Sequence, residues 1–160
     1  FFAKWPARIE QNMQYEKRIH HTDIFSTILG AANITPPQDI KIDGVNLIPY
    51  LTNETIGEPH ETLYWKNATY QAIIHKDWKL MRSKYPEERE YLYNLKIDPY
   101  ETKNLAMTEI AMKDLLHEKL NTHINSLPEP SWPQSVYMPV VIDKPQTEYE
   151  EGDELVFWPN

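Results

Sequence analysis

Across residues 61–127 the hydrophobic pattern changes its period once, and this change restricts the fold more than any other feature of the chain. Up to Leu95 the apolar residues come in four short runs, at 62–65, 70–75, 78–82 and 91–95. Trp78, Leu80 and Arg82 alternate with Lys79 and Met81, the two-residue period of a strand with unlike faces. Lys76-Asp77 separates the second and third runs, and Asp98-Pro99 ends the fourth. Such short, closely spaced runs argue for an antiparallel sheet. From residue 108 the spacing becomes helical. Met112, Leu115, Leu116, Leu120, Ile124 and Leu127 are expected on one face, with Glu109 in the first turn. Pro128 and Pro130 stop the helix. A small antiparallel sheet covered by one long C-terminal helix is an α+β unit.

The chain before this unit is organised differently. Residues 1–6 read as a buried strand ended by Pro6, and 7–19 as a polar connection. From Thr22 the spacing of Ile24, Phe25, Ile28, Leu29 and Ala32 predicts a helix. Thr22 or Asp23 can cap it, Gly30 with Asn33 marks its end, and Pro36-Pro37 forbids continuation. A turn at Asp43-Gly44 precedes the apolar set Val45, Leu47, Ile48 and Leu51. The polar stretch 53–60, with Gly57 and Pro59, is the expected boundary. The expected organisation is therefore 1–52, then 61–127, then a proline-spaced acidic tail at 128–160 with possible strands at 136–142 and 155–158.

Composition excludes several functions. Without cysteine there is no disulfide scaffold, no thiolate zinc site and no thiol nucleophile. No run approaches the roughly 20 apolar residues that span a bilayer. The net charge of -8 arises largely in the tail, where Lys144 is the single cation of residues 120–160 against seven acidic side chains. No basic stripe exists to neutralise phosphates, so nucleic acid is not an expected partner. Phe1-Phe2-Ala3-Lys4-Trp5-Pro6 lacks an initiator Met and opens within the expected strand, which suggests a piece of a longer protein.

Three stretches of the first segment, in order, resemble the C-terminal third of type I sulfatases, formylglycine-dependent enzymes of the alkaline-phosphatase superfamily. Phe2-Ala3-Lys4-Trp5-Pro6-Ala7-Arg8-Ile9 is similar to the family's strand ending in Trp-Pro-Gly-x-Ile, with Ala7 in place of glycine. His21-Thr22-Asp23-Ile24-Phe25-Ser26-Thr27-Ile28-Leu29 resembles its His-x-Asp-Ile-x-Pro-Thr helix, with Ser26 in place of proline. Asp43-Gly44-Val45-Asn46-Leu47-Ile48-Pro49-Tyr50-Leu51 resembles its Asp-Gly-x-Ser-Leu-x-Pro-x-Leu loop. Downstream, Leu63-Tyr64-Trp65, 72–80, Leu92-Tyr93-Asn94-Leu95 and 98–106 follow the family in order. The last is similar to its Asp-Pro-x-Glu-x-x-Asn-Leu signature.

The resemblance implies that residues 1–52 are a remnant of the large α/β catalytic domain, its closing strand and helix, and that 61–127 is the C-terminal α+β subdomain. It implies hydrolysis of sulfate esters, of a sulfated carbohydrate in the first place. In the family, a Cys or Ser within Cys/Ser-x-Pro-Ser-Arg becomes formylglycine, and a calcium-type cation sits among Asp/Asn oxygens. The nearest match, Ser131-Trp132-Pro133-Gln134-Ser135, lacks the Ser-Arg and lies beyond the helix, so it is rejected. No catalytic and no metal residue is expected in this chain, which alone should be inactive. Calcium and formylglycine are expected in the missing N-terminal part, which is the principal partner.

His20 and His21, just before the first helix, are candidate contacts for a sugar hydroxyl or a sulfate oxygen, and Trp65 for sugar stacking. Core packing is the better account of Trp78, and surface charge of Lys4 and Arg8. A phosphatase or phosphonate hydrolase of the same superfamily is the nearest rival. A stand-alone carbohydrate-binding or interaction module built from 61–127 is another. The family suggests a periplasmic or secreted protein. The Ile24/Phe25/Ile28/Leu29 face, lacking its usual neighbours, is expected to self-associate unless something else covers it.

Overall fold

A computed structural model describes residues 2–36, 38–67, 70–83 and 88–128. Residues 129–160 of the tail, with the strands expected at 136–142 and 155–158, lie outside the described residues. The chain divides between Glu61 and Thr62 into two compact units.

In the second unit, four strands form one antiparallel sheet in sequence order: β1 (Thr62–Lys66), β2 (Tyr70–His75), β3 (Trp78–Ser83) and β4 (Arg89–Asn94). Lys76 takes φ 52° and reverses the chain between β2 and β3, in a region of backbone space few side chains adopt. The register runs Tyr64, Ile73, Leu80, Leu92 straight across the sheet. Ile73, Leu80 and Leu92 are completely buried. A 17-residue helix covers this row and, with Leu116 and Leu120 also completely buried, completes the core. Each such burial is worth about 1.5–3 kcal/mol. Met112 and Ile124 flank them, and Trp78 packs against the same cluster, as alternation with Leu80 predicts.

The helix is narrower than its sequence suggests. It runs Ile110–Ser126, and Leu115 and Leu127 are exposed. Residues 112, 116, 120 and 124, four apart, make one seam over the sheet, and Leu115 lies about 100° round the helix from Leu116. Beside the apolar row, Arg82 shares the helix side of the sheet with Leu80. Its guanidinium donates to Gln71 Oε1 and, at 2.7 Å, to Asn121 Oδ1. Glu90 accepts from His117 Nε2 at 2.6 Å and from Lys113 Nζ at 3.3 Å. The core is thus closed by paired polar groups rather than left open at one end.

The 98–105 segment is a clasp. Asp98 accepts the Thr102 and Lys103 N–H groups at 3.0 and 2.9 Å, and these bonds hold its carboxyl below the usual pKa. Asn104 Oδ1 accepts the Leu92 and Ala106 N–H groups, both at 3.0 Å, and its Nδ2 donates to the Glu90 carbonyl. Glu101, at φ 56°, meets Lys79 Nζ at 2.6 Å. The most distinctive sequence motif of this unit therefore fastens the chain to β3 and β4.

The first unit contains α1 (Asp23–Ala31) and a four-residue helix, α2 (Ile48–Leu51). The strand expected at 1–6 is not formed: residues 2–5 have no ladder, and the chain turns at Trp5, whose carbonyl accepts from Arg8 and Ile9. A strand needs a neighbour for its backbone groups, and no described segment supplies one. The end of α1 is set by Asn33 rather than Gly30. Asn33 takes φ 53°, its N–H reaches Gly30 O and the Ile34 N–H reaches Leu29 O, the paired bonds of a Schellman motif. Gly30 stays inside the helix, where a Cβ would lie 2.2 Å from the Asn46 side chain.

Asp23, Ser26, Thr27 and Gly30 fall on one side of α1, and the 43–48 loop is stitched to it. Asp23 accepts from Val45 N–H at 2.9 Å, Ser26 donates to Gly44 O at 2.7 Å, and Thr27 accepts from Leu47 N–H at 3.0 Å. The buried side of α1 is thus its polar, small-residue side. Ile24, Phe25 and Ile28 lie opposite and are 40, 58 and 60% exposed.

Candidate functional site

The entry to α1 gathers three imidazoles and one carboxylate. The chain starts to wind at His20, whose carbonyl accepts the Asp23 N–H at 3.0 Å. Asp23, the first residue of α1, accepts the His20 N–H at 2.7 Å and so ties the preceding turn to the helix. It does more than tie the turn. The carboxylate is completely buried, and His60 Nε2 lies 2.8 and 2.9 Å from its two oxygens. Burial alone would raise its pKa, but the His20 and Val45 N–H groups and the His60 contact outweigh this and hold it below the usual value. An ionised carboxylate only accepts, so His60 Nε2 carries the proton in this pair.

His20 and His21 lie together, with ring centroids 4.1 Å apart. With Ile19, Ile24 and Leu47 they line a cavity of about 240 Å³. His20 Nδ1 is 3.0 Å from Thr22 Oγ1. Burial and the neighbouring His21 push the His20 pKa down, with Asp23 pulling against them. The ring is therefore suited to exchange hydrogen bonds with a hydroxyl rather than to act as a cation. Because Asp23 binds the backbone of His20 and not its ring, no carboxylate–imidazole–hydroxyl relay forms here.

A second cavity of the same unit, about 490 Å³, has Trp5, Met13, Tyr15 and Lys4 in its wall. Arg8 lies over Trp5 at 5.5 Å and 3.5 Å from Glu54, an exposed pairing consistent with surface charge. Trp65 belongs to the other unit. It is 39% exposed and alternates with Tyr64, whose ring stacks on His123 at 3.9 Å and packs on the core. The structure thus brings His20 and His21 together and places Trp65 in a separate unit. His60 had no signal in the sequence, since its partner lies 37 residues away.

Among the described residues, no three of His, Asp and Glu gather closely enough to hold a metal ion. They do not fit a hard cation, which takes about six to eight oxygens. No described helix is long and apolar enough to cross a membrane.

A four-stranded antiparallel sheet under one C-terminal helix, with a clasped Asp-Pro-x-Glu-x-x-Asn-Leu loop, agrees with the C-terminal region of a sulfatase. The profile of the family described as N-sulphoglucosamine sulphohydrolase, C-terminal, matches residues 1–129, and the chain belongs to that family. It is 41% identical over 64 residues to the uncharacterized sulfatase YdeN of Escherichia coli K12, covering 40% of this chain and 11% of that protein. Among solved structures it is similar to BT33336S-sulf, from work on glycosaminoglycan metabolism by Bacteroides thetaiotaomicron. The TM-score is 0.61 at 22% identity, over 76% of this chain and 28% of that one. It is also similar to BT4656, solved with its substrate D-glucosamine-2-N,6-O-disulfate, with TM-score 0.51, 24% identity, and 69 and 25% of the two chains covered. At these identities the structural likeness is one of fold. The chain spans about a quarter of the length of these solved relatives.

Proposed function

We propose that this chain is the C-terminal portion of a sulfatase that hydrolyses a sulfate ester of a carbohydrate, and that it carries no catalytic centre of its own. The observation that carries this reading is the family match over residues 1–129, which takes in both units. The disulfated glucosamine bound by BT4656 supports a sulfated sugar as the substrate class. Formylglycine and a calcium-type cation belong, in this reading, to the part of the enzyme that this chain does not cover. This chain's own contribution is to contact and shape. His20 and His21, in the lining of one cavity, exchange hydrogen bonds with sugar hydroxyls, and Trp65 offers a ring face to a sugar.

The test is a comparison of sulfate release from sulfated monosaccharides by the purified 160-residue chain and by the full-length protein encoded around it. The chain alone should release none, and the full-length protein should, with loss on chelation. Hydrolysis by the isolated chain, or none by the full-length protein on any sulfated sugar, overturns the reading.

A further inference from the structure

Thr22 stands just before α1, in the position whose side chain ordinarily accepts a free N–H of the first turn. Its hydroxyl makes no such bond. The neighbours hold the winding of the chain instead. Asp23 takes the His20 N–H on its carboxylate at 2.7 Å, and the His20 and His21 carbonyls accept the Asp23 and Ile24 N–H groups at 3.0 and 3.2 Å. Relieved of capping, the Thr22 hydroxyl meets a side chain, His20 Nδ1, at 3.0 Å.

We propose that Thr22 is a positioning residue for the His20/His21 pair, its hydroxyl fixing the ring of His20 against which the exposed ring of His21 lies. The inference rests on the reading of this pair as a sugar contact of a sulfatase. An imidazole turns about its Cβ–Cγ bond between two broad wells, which exchange Nδ1 for a ring carbon. A hydrogen bond to Nδ1 removes that choice and, by its direction, sets which nitrogen carries the proton. Asp23 fixes the His20 backbone at the same time, so the hydroxyl acts on the ring alone. His21 is oriented in turn, since the two ring centroids lie 4.1 Å apart with their planes tilted by 46°. Both rings line the cavity of about 240 Å³, and His21 is the more exposed of the two. A sugar hydroxyl donates and accepts, so its affinity depends on which edge of each neutral ring is the donor.

The experiment uses Thr22→Val, which keeps the shape and removes the hydroxyl, and Thr22→Ser, which keeps the hydroxyl. In the 160-residue chain the histidine ring nitrogens are followed by NMR at pH 8. That is above the ordinary histidine pKa of about 6.5, which burial and His21 lower for His20. One tautomer of His20 is expected in the wild type and in Thr22→Ser, and a mixture in Thr22→Val. In the full-length protein, Thr22→Val should raise KM for the sulfated monosaccharide it hydrolyses fastest by roughly two- to tenfold, the worth of one hydrogen bond. The kcat should change little, and Thr22→Ser should restore KM. Both variants should melt as the wild type does, because no capping bond is lost. A lowered melting midpoint of Thr22→Val with nitrogen signals and KM unchanged would make the hydroxyl a cap and overturn the proposal. So would mixed tautomers of His20 in the wild type, or a KM that Thr22→Val leaves intact. The expected tautomer change, in a protein whose full-length form hydrolyses no sulfated sugar, would defeat the functional reading and leave Thr22 as the group that orients His20.

Discussion

The imidazole of His60 and the carboxylate of Asp23 meet across 37 residues of sequence, with Nε2 at 2.8 and 2.9 Å from the two oxygens. This carboxylate also accepts the His20 and Val45 N–H groups, so one buried side chain joins the start of α1, the 43–48 loop and the end of the first unit. Burying a charge is costly unless its hydrogen-bonding capacity is met, and here three donors meet it.

Replacing Asp23 by Ala should therefore destabilise the first unit by roughly 2–4 kcal/mol, since the two N–H groups and His60 lose their acceptor together. Chemical denaturation followed by hydrogen exchange at the Val45 amide checks this. An unchanged exchange rate at Val45 would show that the carboxylate is not the keystone of the unit.

The same group sets a pH dependence. The folded pKa of Asp23 lies below its unfolded value of about 3.9. Its stabilising contribution is therefore complete above the unfolded value and is lost as pH falls through the lower folded value. Denaturant midpoints measured from pH 6 to pH 2 should fall on the acid side for the wild type. The gap between wild type and Asp23→Ala should narrow over the same interval. A gap of constant size down to pH 2 would contradict this.

In the second unit, Leu116→Asp should abolish the cooperative melt. The side chain is completely buried, and an unpaired carboxylate there costs several kcal/mol against a domain stability of about 5–15 kcal/mol. Leu115→Asp, one residue away and 41% exposed, should be tolerated with a change within roughly 0.5 kcal/mol. Equal damage from the two would mean that the helix packs through a different face.

Asn104→Ala should cost more than Asn104→Asp. The alanine removes both the acceptor of the Leu92 and Ala106 N–H groups and the donor to Glu90 O, whereas the aspartate keeps the acceptor of the two N–H groups and sets a carboxylate oxygen against the Glu90 carbonyl. Leaving a buried N–H unpaired costs about 1–3 kcal/mol, and Leu92 is completely buried. Thermal melts of the two variants, ranked against wild type, decide the order.

The two units should also differ in protection. Ile73, Leu80, Leu92, Ala106, Leu116 and Leu120 form the core of the second, while in the first the buried hydrophobics are Leu47, Ile48 and Leu51. Hydrogen exchange should be slow across β1 to β4 and the 110–126 helix, and fast before residue 51. Uniform protection of both in a monomer would show that the first unit is as self-sufficient as the second.

The sequence by itself determined the second unit. Its strands are short alternating runs and its helix an apolar periodicity, local patterns that depend on neighbours a few residues away, although that periodicity also put Leu115 and Leu127, which are exposed, on the buried face. Trp78 and Arg82 could be placed on the Leu80 side for the same reason, because a strand's period of two needs no knowledge of the partner. The first unit was legible only in part. The periodicity of α1 was visible, but periodicity does not say which side the chain will bury. That was decided by the 43–48 loop, which offered Gly44, Val45 and Leu47 backbone groups to Asp23, Ser26 and Thr27 and so turned Ile24, Phe25 and Ile28 outward. Residues 1–6 have the composition of a strand, yet a strand exists only when another chain segment lies beside it. His60 had no local signal at all, because its role follows from one carboxylate 37 residues earlier being sealed from water. Only the tertiary structure could supply that, since desolvation and charge pairing act through space and leave no period in the sequence.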